Sequence, residues 1–211
     1  MRKYKSYDSI FEIILYIITS IYIIYGIINK SNDYIFNGFC TLVVIALPRV
    51  IIKISKIKIP KYLNFIIQIF IFIAMFLGKM NSFYFKFEWW DLFLHLVSGG
   101  VVFLVAYTVF MVQNNYETKN VKPILIVTYT FLFSIAMTAC WEMWEFAGDQ
   151  LFNFDSQGGS LLDTMEDIIA GSVGPLIMLP ILLAFLKGKK NMLFDSLTKF
   201  MKDNNKSSKD E

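Results

Sequence analysis

Six apolar runs of nearly membrane-spanning length constrain this chain more than any other feature of its sequence. A helix needs about 20 apolar residues to cross the hydrocarbon layer, and only helices or closed barrels satisfy every backbone polar group there. The 211 residues are 56% hydrophobic, which is too apolar for a soluble domain of this length. We therefore predict an all-α, polytopic membrane bundle with about six transmembrane helices, at residues 10–28, 34–52, 62–77, 92–112, 123–147 and 162–186.

Basic residues predict the orientation of these spans, because short cytoplasmic loops carry an excess of Lys and Arg. With both termini in the cytoplasm, nine loop lysines lie inside and three lie outside. The inner set is Lys53, Lys56, Lys58, Lys61, Lys119, Lys122, Lys187, Lys189 and Lys190, and the outer set is Lys30, Lys79 and Lys86. This asymmetry predicts that both termini are cytoplasmic.

One transmembrane domain is predicted for residues 1–190, because no low-complexity linker divides the chain. Residues 191–211 form a predicted cytoplasmic tail that begins as a short amphipathic helix and is disordered from Asn204. The apolar residues of that helix recur at helical spacing: Leu193, Phe194, Leu197, Phe200 and Met201. The net charge of +3 lies mostly in short loops, so we expect membrane lipids and not nucleic acid as partners. The oligomeric state stays open.

Acidic residues and the single histidine interrupt the last three spans near their predicted outer ends. Residues three or four apart share one face of a helix, so the acids of the fifth span line a single stripe. The predicted orientation brings the polar groups of all three spans to the same face of the membrane. We expect one site built from Asp91, His95, Glu142, Glu145, Asp149, Asp163 and Asp167.

Helix capping offers another explanation for two of these acids. Asp91 and Asp163 lie in first helical turns, where a carboxylate complements the helix dipole. Ser160 and Asp163 also have the spacing of a capping box. Glu166, on the same turn, is equally compatible with a position in water or among headgroups.

The remaining groups are harder to explain by capping. His95 and Asp167 lie a full turn deeper in their helices, and Glu142 and Glu145 lie near a predicted helix C-terminus, where the dipole disfavours negative charge. No Lys or Arg lies at this depth in the last three spans. The charge is therefore balanced by a bound cation, by retained protons or by hydrogen bonds.

Two of the spans share a spacing that places polar groups above a glycine. The patterns are Asp91-x3-His95-x3-Gly99 and Asp163-x3-Asp167-x3-Gly171. A glycine at that point on a helix face lets a neighbouring helix approach closely. We therefore expect a close approach by a neighbouring helix beneath the polar groups of each span.

The donor set bears on which ion such a site would take. Carboxylate oxygens suit Mg²⁺, Mn²⁺ or Ca²⁺, while an imidazole also allows Zn²⁺ or iron. With one histidine in the chain, an HExxH zinc protease is excluded. Only Arg2 and Arg49 exist, both predicted inside, which argues against a phosphatase that clamps phosphate with arginines at the outer face. A metal-free proton site also fits the spacing.

Three segments, in this order, resemble the YjdF-like membrane proteins of bacteria. They are residues 90–99, residues 141–145 and the Asp163-x3-Asp167-x3-Gly171 pattern, over roughly residues 85–185. A more distant similarity is to VanZ-like proteins, which share an Asp-x3-His helix and a late Asp-rich helix ending in glycine. The resemblance implies a multi-pass protein of the bacterial plasma membrane. YjdF-like proteins have no known function; VanZ-like proteins are associated with glycopeptide resistance, and their pattern has fewer acids at the position of Glu142 and Glu145.

A metal-dependent enzyme of the cell envelope is the first function that fits these residues. A divalent cation would activate water or polarise a headgroup oxygen of a lipid or lipid-linked substrate. His95 would be a ligand or a general base, and with Glu142 it is the predicted catalytic pair. The acids expected to hold the cation most directly are Glu142, Glu145, Asp163 and Asp167.

Two other classes of protein fit the same pattern. In a cation- or proton-coupled transporter the acids would form a binding vestibule, and Pro175 and Pro180, with Gly171 and Gly174, could break the sixth span. In a non-catalytic scaffold the polar residues would serve helix association alone. Metal content, flux and assembly distinguish the three.

Overall fold

The computed structural model describes residues 6–152 and 154–205. Within these ranges the regular structure is entirely helical, and no strand is present. The eight helices are α1 (Tyr7–Ile28), α2 (Asn32–Ser55), α3 (Lys61–Met80), α4 (Phe83–Lys86), α5 (Trp90–Gln113), α6 (Pro123–Phe152), α7 (Leu161–Leu186) and α8 (Met192–Asn205). The predicted all-α fold is therefore confirmed.

Six of these helices are long and apolar enough to span a membrane: α1, α2, α3, α5, α6 and α7. They correspond one to one with the six predicted spans. The third is longer than predicted because π-helical backbone over Phe72–Met80 continues the α-helix that ends at Ile71. The orientation of the spans stays a prediction.

Helix α6 ends at Phe152, beyond the predicted boundary at residue 147. Glu142 and Glu145 consequently lie inside the helix and not at its C-terminus. The influence of the helix dipole falls off within the last turn. The expectation that the dipole disfavours these two glutamates is therefore wrong, and their cost in a membrane helix is one of desolvation.

The chain forms two compact units, Met1–Trp90 and Asp91–Glu211. In the first unit, Leu15, Ile45, Ile71 and Phe76 form the centre of the apolar core. The second unit contains α5 to α8 and all the residues of the predicted polar site. A domain boundary at residue 190 stays a prediction.

A buried polar network, which the sequence did not suggest, joins three helices of the first unit. Glu12 of α1 is 3% exposed and accepts hydrogen bonds from Arg49 of α2 and, at 3.2 Å, from the Gln68 amide of α3. One turn earlier, the Asn64 amide donates to Asp8 at 2.9 Å. Two polar contacts one turn apart, Asp8 with Asn64 and Glu12 with Gln68, therefore hold α1 against α3.

Replacing Arg49 with Ala is expected to destabilise the first unit, because the Glu12 carboxylate is left buried without its cationic partner. The Arg49 side chain is 64% exposed and lies near the end of a spanning helix, where a long basic side chain reaches the polar interface, so the pair is partly screened and we expect a loss of about 1–2 kcal/mol. Denaturant unfolding in detergent micelles measures it. The double variant Glu12→Gln/Arg49→Ala removes the buried charge and should recover most of the loss; equal destabilisation of both variants would contradict this explanation.

Helix α8 forms where the amphipathic segment was predicted, but its apolar face is covered by protein. Phe194, Leu197 and Met201 are fully buried. The Phe194 ring packs against Tyr107 of α5, and the Tyr107 hydroxyl shares a 2.8 Å hydrogen bond with Thr198. The apolar face of α8 therefore packs against α5 within the second unit and does not lie on the membrane surface.

The end of α8 lies further along the chain than predicted. Asn204 is helical, and its amide donates to the Phe200 carbonyl at 3.0 Å, so disorder does not begin there. Residues 206–211, the rest of the predicted disordered end, lie outside the described residues.

Glycines bring α5 and α7 into backbone contact. A Cβ atom at Gly99 would overlap the Gly171 carbonyl oxygen and the Pro175 ring, and one at Gly174 would overlap the Leu96 carbonyl oxygen. In a regular helix the Gly171 carbonyl would accept a hydrogen bond from the N–H of residue 175. Pro175 has no N–H, so the Gly171 oxygen is free to face α5. The predicted close approach of a neighbouring helix at these glycines is confirmed, and the structure shows that α5 and α7 are each other's neighbour.

The expected break in the sixth span is absent. Helix α7 runs from Leu161 to Leu186 through Pro175 and Pro180 without interruption. Because Pro175 packs against Gly99, the proline shapes a helix contact and does not open the helix. The expected helix break, which was one of the two features that favoured a transporter, is therefore wrong.

Candidate functional site

Three helices of the second unit deliver polar side chains to one place. Helix α5 contributes Asp91 and His95, which are one turn apart and share a face. Helix α6 contributes Glu142 and Glu145, and α7 contributes Asp167. The glycine contacts between α5 and α7 lie one turn deeper and hold the two helices close enough for these side chains to meet.

The imidazole of His95 lies between carboxylates on both of its edges. Its Nε2 atom is 3.6 Å from Asp91 Oδ1 and 3.8 Å from Asp167 Oδ2, while its Nδ1 atom is 3.6 Å from Glu142 Oε1. All three separations are longer than a hydrogen bond of this kind. The prediction that His95 lies beside acids of α6 and α7 is therefore confirmed. The imidazole is close to the carboxylates but is not hydrogen-bonded to them.

The innermost members of this group are shielded from solvent. His95 is 6% exposed, and Glu142 and Asp167 are each 3% exposed. Neither carboxylate oxygen of Glu142 has a hydrogen-bond partner within the described residues. Burying a charged carboxylate without a hydrogen-bond donor costs free energy. A proton, a water molecule or a cation at Glu142 would remove most of that cost.

No basic side chain of the surrounding helices compensates these acids. The sequences of α5, α6 and α7 contain neither Lys nor Arg. In a membrane-spanning helix an unbalanced charge costs on the order of 3 kcal/mol at the bilayer centre and less toward its ends. Several acids together therefore favour binding of a positive ion.

The gaps around His95 could hold a metal ion. Ligand bonds of about 2.1 Å in a tetrahedral arrangement place ligand atoms about 3.4 Å from one another. The N–O separations of 3.6 and 3.8 Å are close to that value. Two sets of ligand atoms lie within 4.8 Å of one another: Asp91, His95 and Asp167, and His95, Glu142 and Glu145.

Asp149 lies outside both sets and has a defined structural contact. Its Oδ1 atom accepts the Ser156 N–H at 2.9 Å and its Oδ2 atom accepts the Gln157 N–H at 3.0 Å. The carboxylate thus orders the connection between α6 and α7. Its predicted role as a metal ligand stays a prediction, which this contact does not favour.

Asp149→Ala should therefore loosen the α6–α7 connection without removing a bound ion. We expect hydrogen exchange at residues 154–160 to accelerate by tenfold or more, because two backbone donors lose their acceptor. Exchange measured by mass spectrometry reads this effect, and Glu142→Gln is the matched control. Loss of metal in Asp149→Ala, with unchanged exchange in the connection, would contradict this role.

Asp163 also lies outside both sets, at the start of α7. Its N–H donates to the Ser160 hydroxyl at 3.3 Å, which confirms Ser160 as the N-cap. Glu166 is exposed, as its position in the first turns allowed. These two acids surround the cluster without joining it.

Gln157 is a residue of this region that the sequence analysis missed. Its amide donates to the Thr164 hydroxyl at 2.9 Å and approaches the Glu142 carbonyl oxygen at 3.5 Å. It therefore joins the connection to the helices that carry the site. A glutamine flanked by Ser156 and Gly158 has the composition of an ordinary loop, so no sequence signal marked it.

A family described as "Predicted membrane protein (DUF2238)" matches residues 10–188 of the chain. The chain belongs to this family. The match includes α1 to α3 as well as the helices of the polar site, whereas the resemblance drawn from sequence covered only residues 85–185. With its six spanning helices, the protein is a multi-pass membrane protein. No curated protein and no solved structure matched the chain.

Proposed function

We propose that the cluster around His95 holds a divalent cation and serves a metal-dependent membrane enzyme. One observation carries the proposal: His95, Glu142 and Asp167 are buried together, come from three helices, and have no basic residue on those helices to balance them. The gaps from His95 Nε2 to the Asp91 and Asp167 carboxylates are of the size that an ion between these atoms requires.

The set of Asp91, His95 and Asp167 is the better position for the ion. Both carboxylates approach the same nitrogen, Nε2, and three protein ligands leave a coordination position open, as in catalytic sites. When bound there, the ion would supply Lewis acidity toward a substrate oxygen or water.

Glu142 lies on the other side of the ring and has a different task in this proposal. Metal-bound histidines usually donate their second ring N–H to a carboxylate, which fixes the tautomer and orients the ring. The Nδ1 edge of His95 faces Glu142 at 3.6 Å. Glu142 would therefore orient His95, and it would accept a proton from the reacting group if the substrate approaches from that side.

The surroundings favour a lipid or lipid-linked substrate. The Asp91 side chain is 29% exposed and gives the site an opening. On α6, Trp141 and Trp144 flank the glutamates and are 53% and 72% exposed. Exposed Trp side chains are typical of the level at which lipid headgroups lie. A substrate would accordingly reach the site from the membrane, at headgroup depth.

We keep the similarity to YjdF-like and, more distantly, VanZ-like proteins as part of this proposal. The order of the motifs around His95, Glu142 and Asp167 supports this similarity. The similarity implies that the protein lies in the plasma membrane of a bacterium. With the termini inside, the site would lie at the outer face, where envelope lipids are accessible.

A direct test uses purified protein reconstituted in vesicles of a bacterial lipid extract. We expect new lipid products, detected by mass spectrometry, with Mg²⁺, Mn²⁺ or Zn²⁺ and none after chelation or in His95→Gln. Flux of the ion without any lipid product would show that the protein is a transporter and not an enzyme. Normal metal binding with neither product nor flux would favour a scaffold.

A further inference from the structure

A second feature of the same unit lies at the opposite end of α7. Between the end of α7 and the start of α8 there is a shallow cavity of about 320 Å³ that is open to the surface. Asp167 and Lys187 are 20 residues apart on a continuous helix, or about 30 Å, which equals the thickness of the hydrocarbon layer. The cavity therefore lies at the other membrane surface from the His95 cluster and is independent of it.

The wall of the cavity is amphipathic. Its apolar part is formed by α7 residues, which include Pro180, Ile181, Ala184 and Phe185. Ile181 is 37% exposed, so this part continues onto the outward surface of a spanning helix. An acyl chain that lies along α7 would find contact there.

The polar part of the wall is basic, and the backbone holds it in place. Lys189 and Lys190 line the cavity directly after α7. Gly188 has φ +95°, and the Lys189 N–H donates to the Ala184 carbonyl at 3.0 Å, which is the turn that ends helices at a glycine. The position of the two lysines next to the apolar wall thus follows from an ordered turn.

The charges near the two lysines leave this end of the cavity positive. Lys187 adds a third positive charge in the same turn. The nearest acid along the chain is Asp195 of α8, whose carboxylate accepts the Asn191 N–H at 2.9 Å and so caps that helix. No ion pair within the described residues involves Lys187, Lys189 or Lys190.

We propose that this cavity binds one anionic phospholipid, with the phosphate at Lys189 and Lys190 and an acyl chain against Ile181 and Phe185. Basic pockets beside spanning helices, at the level of the headgroups, recognise anionic lipids by this combination of charge and apolar contact. The lipid would join α7 to α8, whose packing closes the second unit.

Native mass spectrometry of the full chain in detergent tests the proposal, with phosphatidylglycerol and phosphatidylcholine of identical acyl chains. Each lysine near an anionic surface contributes about fivefold to binding. We expect the wild type to bind phosphatidylglycerol at least tenfold more tightly, and Lys189→Gln/Lys190→Gln to lose that preference. The lysines are exposed, so unfolding temperatures of protein without lipid should be unchanged.

The matched control is Lys119→Gln/Lys122→Gln, which removes the same charge from the α5–α6 connection. It should keep the lipid preference. Equal loss in both double variants, or no preference in the wild type, would overturn the proposal. Soluble glycerol phosphate distinguishes the source of the anion: it should compete at least 100-fold less well than the lipid, and equal competition would show that the apolar wall contributes nothing.

Discussion

Asp167→Asn is expected to weaken divalent-ion binding by at least about 100-fold. The Asp167 carboxylate is 3% exposed and lies 3.8 Å from His95 Nε2, in the ligand set with Asp91. Loss of residues that only orient a metal ligand already weakens binding by about 10–100-fold, so loss of a ligand should exceed that range. Titration of the purified, chelator-treated protein with Mn²⁺ or Zn²⁺ measures the change.

The matched control for Asp167→Asn is Asp163→Asn. The two aspartates lie one turn apart on α7 and carry the same charge, but Asp163 lies at the capped first turn, outside both ligand sets. We expect Asp163→Asn to weaken binding by less than about fivefold, through the loss of a nearby charge alone. Equal weakening by both substitutions would mean that the acids attract ions diffusely and do not coordinate one.

Gly174→Ala is expected to cause one of the largest losses of stability among single methyl additions in the second unit. A Cβ atom there would overlap the Leu96 carbonyl oxygen and the Gly100 amide nitrogen of α5, and backbone atoms cannot move aside as a side chain can. Overpacking of this kind costs about 3 kcal/mol. Because α5 would be pushed away from α7, ion binding at His95 should also weaken.

The control for this prediction is Gly100→Ala, on the facing helix. A Cβ atom at Gly100 has no neighbour within 4 Å. Alanine favours a helix over glycine by about 1 kcal/mol, so this substitution should be neutral or stabilising. Thermal unfolding of both variants in one detergent provides the comparison. If both variants behave alike, helix propensity outweighs the contact and the close packing of α5 on α7 is not essential.

Several features of this chain follow from the sequence because they depend on local patterns. Apolar length locates the six spanning helices, and the shared spacing of His95 with Gly99 and of Asp167 with Gly171 anticipates the polar site and a close helix approach beneath it. The amphipathic spacing after residue 190 anticipates α8. Each of these patterns lies within one helix, where periodicity alone carries the information.

Other features depend on contacts that no single helix reveals. Glu12 and Arg49 are 37 residues apart and become partners only when α1 packs on α2. The apolar face of α8 is covered because Tyr107 lies opposite it. Asp149 resembles the other acids of its stripe, but a returning loop takes up its carboxylate. Local sequence cannot distinguish the roles of such residues, because those roles depend on which residues contact them in the folded protein.

The most direct measurement of the metal hypothesis is elemental analysis of the purified protein beside the Glu142→Gln/Asp167→Asn variant. The arrangement around His95 predicts close to one divalent ion per chain after equilibration with Mg²⁺, Mn²⁺, Ca²⁺ or Zn²⁺, and almost none in the variant. A wild-type protein that retains no ion under any of these conditions would contradict the metal centre and the enzyme proposed from it.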